Sequence, residues 1–376
     1  MDGDTQGGDA REEPVRASLI LDGLCTDWSG VVDEIELPDA VGGVADLVPV
    51  DARRGRGWLV LDASGRIGWC DRDFGAYRLL AKSSVPAPDD DEAPQHGFRP
   101  GRRLHADPRG RYAAVVLDGG SRGQVLDLAG GRVTMELSAD DDNPETVPFS
   151  LAFAEHRGRP VVLHRTAWNR LDVSDPATGE LLTARESPAD GDSAHYLDYF
   201  HGALLVSPNG ARVLDSGWMW HPVGLPAVWE LGRWLELDPY ESEDGRSRVD
   251  VCDRDYGWNA PMLWLDAHTV ALGGGGEPGR PDVAVYDVTR TQRRHGHDWC
   301  AETARFDGPK GALFSDGWHL FSAGGSGVDV WDPAGGAHLG RIDGIDPTGH
   351  DPVTGDFAQP VTGGVRRWRY QRPGGQ

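Results

Sequence analysis

A chain of 376 residues is longer than the roughly 100 to 150 residues of one ordinary core, so it forms two domains, a barrel or a repeat array. Hydrophobic residues at 39% and charged residues at 26% fit a folded chain with a polar surface, and no apolar run approaches the ~18 residues of a membrane span. With 37 Lys and Arg against 60 Asp and Glu, the net charge of −23 opposes a general nucleic-acid backbone binder, and Gly 52 with Pro 26 calls for frequent turns.

Residues 1–17, MDGDTQGGDAREEPVRA, are polar and acidic and lack the basic and apolar regions of a secretory leader; they are expected to be a disordered tail. Residues 18–370 are expected to form one folded unit, with 371–376 as a short tail. Cys25, Cys70, Cys252 and Cys300 lie far apart and form no C-x-x-C pair, so free thiols and a cytoplasmic location are expected. Only Lys82 and Lys310 are lysines, and the dominance of Arg is read as the bias of a GC-rich genome.

Val31 to Leu37 is a strand candidate. After it, a unit recurs: an apolar strand, a polar turn, a second apolar strand, a Gly-rich turn, then a short strand ending in an aromatic or apolar residue and an acid. In chain order its third strands end at Asp71, Asp127, Asp175, Glu230, Asp287, Asp332 and Arg369, spaced roughly 50 residues apart on average. The plainest copy is GALFSDGWHLFSAGGSGVDVWDPAGG, with Ser315 to Gly317 in the first turn, Gly324 to Gly327 in the second and Trp331-Asp332 at the end. Short apolar runs bounded by Gly, Pro, Asn and Asp dominate, and helical periodicity is scarce.

This pattern resembles a WD-repeat-like β-propeller over roughly residues 28 to 370. The resemblance implies an all-β fold: a single closed propeller, expected to have seven four-stranded blades, with the N-terminal strand completing the last one. The Gly-His dipeptide of strict WD repeats is missing from the blades. The stretch from Ser207 to Trp264 is similar to segments of bacterial propeller proteins, and that similarity implies no function.

Several strings imitate chemistry. Gly119 to Gly123 satisfies G-x-S-x-G and Gly274 to Gly279 satisfies G-x-G-x-x-G, but both motifs need a following helix and both fall between strands, so they are read as hairpin turns. His295, His297, Asp298 and Cys300 are ligand types without a distant partner pair, and are read as an inter-blade loop. Asp89 to Glu92 and Asp140 to Asp142 lack the spacing of a calcium loop. Arg366, Arg367, Arg369 and Arg372 surround Trp368, where strand alternation divides them between two faces. No metal, cofactor or catalytic residue is expected.

The tryptophans divide into two groups. Trp69, Trp229, Trp331 and Trp368, with Tyr286, hold the third-strand position and are expected to pack between blades. Trp218, Trp220, His221, Trp234 and Trp258 flank an insertion and are the candidate binding residues, with Glu241 to Gly245 beside them as a polar rim or loop surface. The expected function is a non-catalytic, monomeric scaffold that binds a protein or peptide through its loop face, without nucleic acid or membrane. The alternatives are a hydrolase or lyase using channel carboxylates, with or without a divalent metal, and a small-ligand site at the insertion.

Overall fold

The computed structural model describes residues 28, 30–88, 100–139, 144–186, 195–220, 223–255, 257, 259–274, 282–294 and 296–370. Short apolar runs separated by Gly and Asp turns give antiparallel meanders in sequence order. The first is Val44–Ala52, Gly55–Asp62, Arg66–Asp71 and Tyr77–Lys82; the second is Gly101–Ala106, Tyr112–Asp118, Arg122–Asp127 and Arg132–Ser138. The third has three strands, Leu151–His156, Arg159–Ala167 and Arg170–Ser174, with a lone bridge from Ser174 to Leu181 at its outer edge. The fourth is Leu204–Val206, Arg212–Asp215, Ala227–Glu230 and Val249–Asp250, and the fifth is Met262–Trp264, Thr269–Gly273, Asp282–Arg294 and His297–Asp307. A parallel bridge from Asp250 to Trp299 joins their outer strands.

The sixth meander is Ala312–Ser315, Leu320–Ala323, Gly327–Trp331 and His338–Asp343. In the last, Gly349–Asp351, Asp356–Val361 and Gly364–Arg369 take their outer strand, Asp33–Glu36, from the start of the chain, inside the Val31 to Leu37 candidate. First strands touch from one meander to the next, Phe314 meets His350 at 5.9 Å between the sixth and the last, and Val44–Ala52 touches Gly349–Asp351. The result is a closed ring. Among the described residues no helix is long and apolar enough to cross a membrane.

Aromatic third-strand residues fill the gaps between meanders. Trp229 packs with Leu163 and Val173 of the third meander, Tyr286 with Leu214 and Val228 of the fourth, Trp331 with Leu263 and Val283 of the fifth, and Trp368 with Phe321 and Val330 of the sixth. The first meander differs by one residue. Cys70 takes the position facing the preceding meander, and Trp69, half-buried, joins the cluster shared with the second, because neighbouring strand residues point to opposite faces.

The acid closing the third strand is a turn former. Asp127 accepts the N–H of Ala129 (3.0 Å), Asp175 that of Ala177 (2.7 Å), Asp287 that of Thr289 (2.9 Å) and Asp332 that of Ala334 (3.0 Å). Carboxylates also build the turns between first and second strands: Asp107 accepts from Arg109 (3.0 Å) and Tyr112 (2.9 Å), and Asp316 from Trp318 (2.9 Å) and His319 (2.8 Å).

The closing strand is clasped from both sides. Arg367 meets Asp33 at 2.7 Å and Arg366 meets Glu34 at 2.6 Å, on opposite faces. Such exposed pairs contribute roughly 0 to 1 kcal/mol each, so the apolar anchor dominates. That anchor is Trp28, buried against His319 (5.1 Å), Tyr370 (5.7 Å) and Phe321 (5.8 Å). A Cβ at Gly340 would stand 2.5 Å from Trp28 Cδ1, so the ring needs glycine there. Trp28→Ala is expected to lose about 3 to 5 kcal/mol of stability, read from urea denaturation; a loss under about 1 kcal/mol would show that Trp28 does not anchor the closure.

Asp316 ties the sixth meander to this closure. Burial works to raise its pKa, but His319 Nδ1 at 3.0 Å and two backbone N–H donors outweigh it and hold the carboxyl at about 2, while the Tyr370 hydroxyl donates to it at 3.0 Å. The folded value lies below the unfolded ~3.9, so the stabilisation is complete above about pH 5 and is lost as pH falls toward 2. Asp316→Asn is expected to cost about 2 kcal/mol at pH 7 and to flatten the fall in stability between about pH 5 and 2, measured by urea midpoints across that range.

Candidate functional site

Up-and-down meanders send the turns between first and second strands to one face of the ring. Those between second and third strands, with the connectors between meanders, go to the opposite face. On that second face, Trp218 and Trp220 occupy the turn of the fourth meander, which is lengthened by the hairpin Trp218–Met219 with Val223–Gly224 and joined by Arg254–Asp255. Phe200, from the preceding connector, exchanges both backbone hydrogen bonds with Trp218 (2.8 and 3.0 Å) and stacks on its ring at 4.4 Å. Trp168, from the equivalent turn of the third meander, lies 4.6 Å from Phe200, and Tyr196 extends the row 6.5 Å beyond Trp168.

Exposure rises steeply across this stack. Trp218 is 2% exposed, while Trp220, 5.4 Å from it and 5.8 Å from Phe200, is 62% exposed. The base below is rigid. Asp215, fully buried, accepts from Gly202 N–H (3.0 Å) and faces His201 Nδ1 at 2.6 Å, and Tyr199 donates to the Leu225 carbonyl at 2.8 Å. The Tyr199 ring lies where a Cβ of residue 217 would stand, so glycine there lets the connector pass beneath Trp218.

The five candidate residues do not form one site. Trp218 and Trp220 come together. Trp234 lies on the helix Leu231–Glu236, between the third and fourth strands of the same meander, and is buried edge-on to Trp229 at 5.7 Å with Nε1 donating to the Pro239 carbonyl at 3.1 Å. His221 and Trp258 lie outside the described residues. Glu241 to Glu243 is neither rim nor loop surface, because buried cations and hydroxyls hold it inside: Glu241 accepts from Ser247 N–H and Oγ, both at 2.6 Å, and Glu243 pairs with buried Arg185, which also meets Asp172 at 2.7 Å. Sequence reading missed Trp168, Tyr196 and Phe200; Trp168 was detectable by aligning the second-to-third-strand turns of adjacent repeats.

The solved structures that match the chain include two that align over most of its length. One is the β-propeller domain of Cps50 (Swd1) from Myceliophteria thermophila, with a TM-score of 0.56 and 12% identity, covering 91% of this chain and 100% of that one. The other is a structure of the mitotic checkpoint complex, with a TM-score of 0.52 and 13% identity over 93% of this chain and 98% of that one. This chain folds as a WD-repeat-like β-propeller. At such identities the fold alone is shared. No protein-family model and no curated protein sequence matches.

With the propeller in hand, the imitating motifs resolve. Gly119 to Gly123 turns directly into the strand Arg122–Asp127 of the second blade, without a helix. Gly274 opens a turn whose remainder lies outside the described residues, as do Asp89 to Glu92 and Asp140 to Asp142. His295 lies outside the described residues; Gly296 to Asp298 belong to a hairpin within the fifth blade rather than an inter-blade loop, with His297 and Asp298 exposed and Cys300 turned into the core. Among the described residues no three His, Cys, Asp or Glu side chains are grouped to hold a metal.

Two buried carboxylates, Asp46 and Asp118, flank Arg103. Burial raises both above the usual carboxylate range and the Arg103 cation opposes it. Asp46 accepts the N–H groups of Leu47 (2.9 Å) and Leu104 (2.8 Å); Asp118 accepts that of Phe149 (3.1 Å) and Arg103 Nε (3.0 Å). The bonds to Leu104 and Phe149 tie the first blade to the second and the second to the segment leading into the third, while those to Leu47 and Arg103 stay within a blade.

Trp218→Ala is expected to cost about 3 to 5 kcal/mol, whereas Trp220→Ala changes stability by less than about 1 kcal/mol. Urea denaturation of the two variants checks this, and equal losses would contradict the distinction between base and exposed ring.

Proposed function

We propose that this propeller is a non-catalytic interaction platform that docks a protein or peptide segment on the Trp220 face. The observation that carries this reading is a tryptophan left 62% exposed on a stack whose base, Trp218, is 2% exposed. Tryptophan supplies large apolar area at low entropic cost and dominates interface energetics when it seats in a partner's pocket. Phe200, Trp168 and Tyr196 broaden the apolar area, and the backbone pairing of Phe200 with Trp218 holds it in place before binding. The checkpoint-complex structure, by its title an assembly, supports the use of this fold among protein partners.

Quantitative affinity capture with the full chain tests the proposal. A stoichiometric partner should bind the wild type and lose at least about thirtyfold in affinity to Trp220→Ala, the size expected of a hot-spot residue, while Trp318→Ala on the other face binds as wild type. No stoichiometric partner, or one indifferent to Trp220→Ala, would overturn it.

A further inference from the structure

The face opposite Trp220 leaves large apolar side chains in solvent. Trp318, in the turn between the first and second strands of the sixth blade, is 52% exposed, and Val353, in the equivalent turn of the last blade, is 54% exposed. Tyr370 ties these two turns together: its hydroxyl donates to Asp316 in one at 3.0 Å, and its backbone N–H to the Gly355 carbonyl in the other at 3.1 Å. Val353 and Pro352 also line a cavity of about 1050 Å³, whose arginines Arg56, Arg109 and Arg111 are already met by Asp51, Asp351, Glu155 and Asp107. Apolar surface is what this face still exposes.

The chain enters the ring at the same corner. Trp28 packs on Tyr370 at 5.7 Å and on His319, the residue after Trp318, at 5.1 Å, so whatever precedes Trp28 starts beside both exposed turns. Residues 1–27 lie outside the described set, and their chemistry is uneven. Residues 1–16 are mainly acidic, small or polar, whereas Leu19, Ile20, Leu21 and Leu24 form an aliphatic run interrupted by a single acid, Asp22. At ~3.3 Å per extended residue, Leu24 reaches roughly 13 Å from Trp28 and Leu21 roughly 23 Å. A tether this short sets an effective concentration in the millimolar range, so apolar contacts too weak to hold a free peptide suffice to hold this one.

We propose that the segment Leu19 to Leu24 folds back from Trp28 across the turns of the sixth and last blades, with Leu24 nearest Trp318 and Leu19 to Leu21 running on to Val353 and Pro352. The order follows the tether, since the shorter reach belongs to Leu24. The occupant is this chain's own segment because it carries aliphatic side chains and is covalently fixed at the corner where the exposed rings and methyls lie, so it pays none of the association cost that a second copy or another protein would. Docked there, it extends the Trp28 anchor of the ring closure and shields this face, leaving the Trp220 face as the open one. The segment docks whether or not the Trp220 patch holds a partner.

Hydroxyl-radical footprinting of the full chain, read by mass spectrometry, measures the solvent access of Trp318 directly. Trp318 should be oxidised about threefold or more slowly in the wild type than in a full-length variant carrying Leu19→Asp, Ile20→Asp, Leu21→Asp and Leu24→Asp, while Trp220 reacts alike in both. In the reciprocal direction, Trp318→Ala, at an exposed position, should speed thermolysin cleavage within Leu19 to Leu24 about threefold or more. One oxidation rate for Trp318 in both proteins overturns the docking. So does protection of Trp318 that survives the four substitutions, or that fades as the wild type is diluted, which assigns the surface to a second copy. Cleavage of the segment indifferent to Trp318→Ala overturns Trp318 as its seat.

Discussion

A sheet ring is stable only if it has no free edge at its seam, and here that constraint is met by four residues, Asp33–Glu36, pairing with Gly364–Arg369 from the far end of the chain. The pairing joins segments more than three hundred residues apart, so its entropic cost is met by contacts around it rather than by its own hydrogen bonds. Trp28 supplies them, wedged among His319, Phe321, Trp368 and Tyr370, and Asp316 links that cluster to the turn of the sixth blade through His319 and Tyr370. Without this seam the last blade would present an open edge of three strands.

Within the closed ring, polar and apolar parts take complementary tasks. Large third-strand rings such as Trp229 and Trp368 fill the spaces between blades, while short acids hold the turns. Much of the acidic excess therefore has a structural use: a carboxylate accepting backbone N–H groups fixes a turn more tightly than a neutral acceptor would. The charge of −23 reads less as a repulsive surface than as the by-product of many turns solved in the same way.

Rigidity then separates the two faces. One offers an exposed aromatic set on a buried stack; the other gathers arginines at the channel mouth around a cavity of about 1050 Å³. Trp218 is held by the Phe200 backbone, and Asp107 holds the turn that carries Arg109 and Arg111.

Local chemistry determined the strands, the turns, the recurrent aromatic-and-acid strand end and the closing strand, because two-residue alternation and Gly or Asp turn preference act over a few neighbours. Only tertiary structure decided that Cys70 rather than Trp69 faces the preceding blade, since a one-residue shift reverses a strand's faces. It likewise sent Trp234 to the core and Trp220 to solvent, buried Glu241 and Glu243, and brought Trp168, Tyr196 and Phe200 beside Trp218. Those outcomes depend on which turns of different blades share a face, and that is fixed by the ring's closure, which no short stretch of sequence contains.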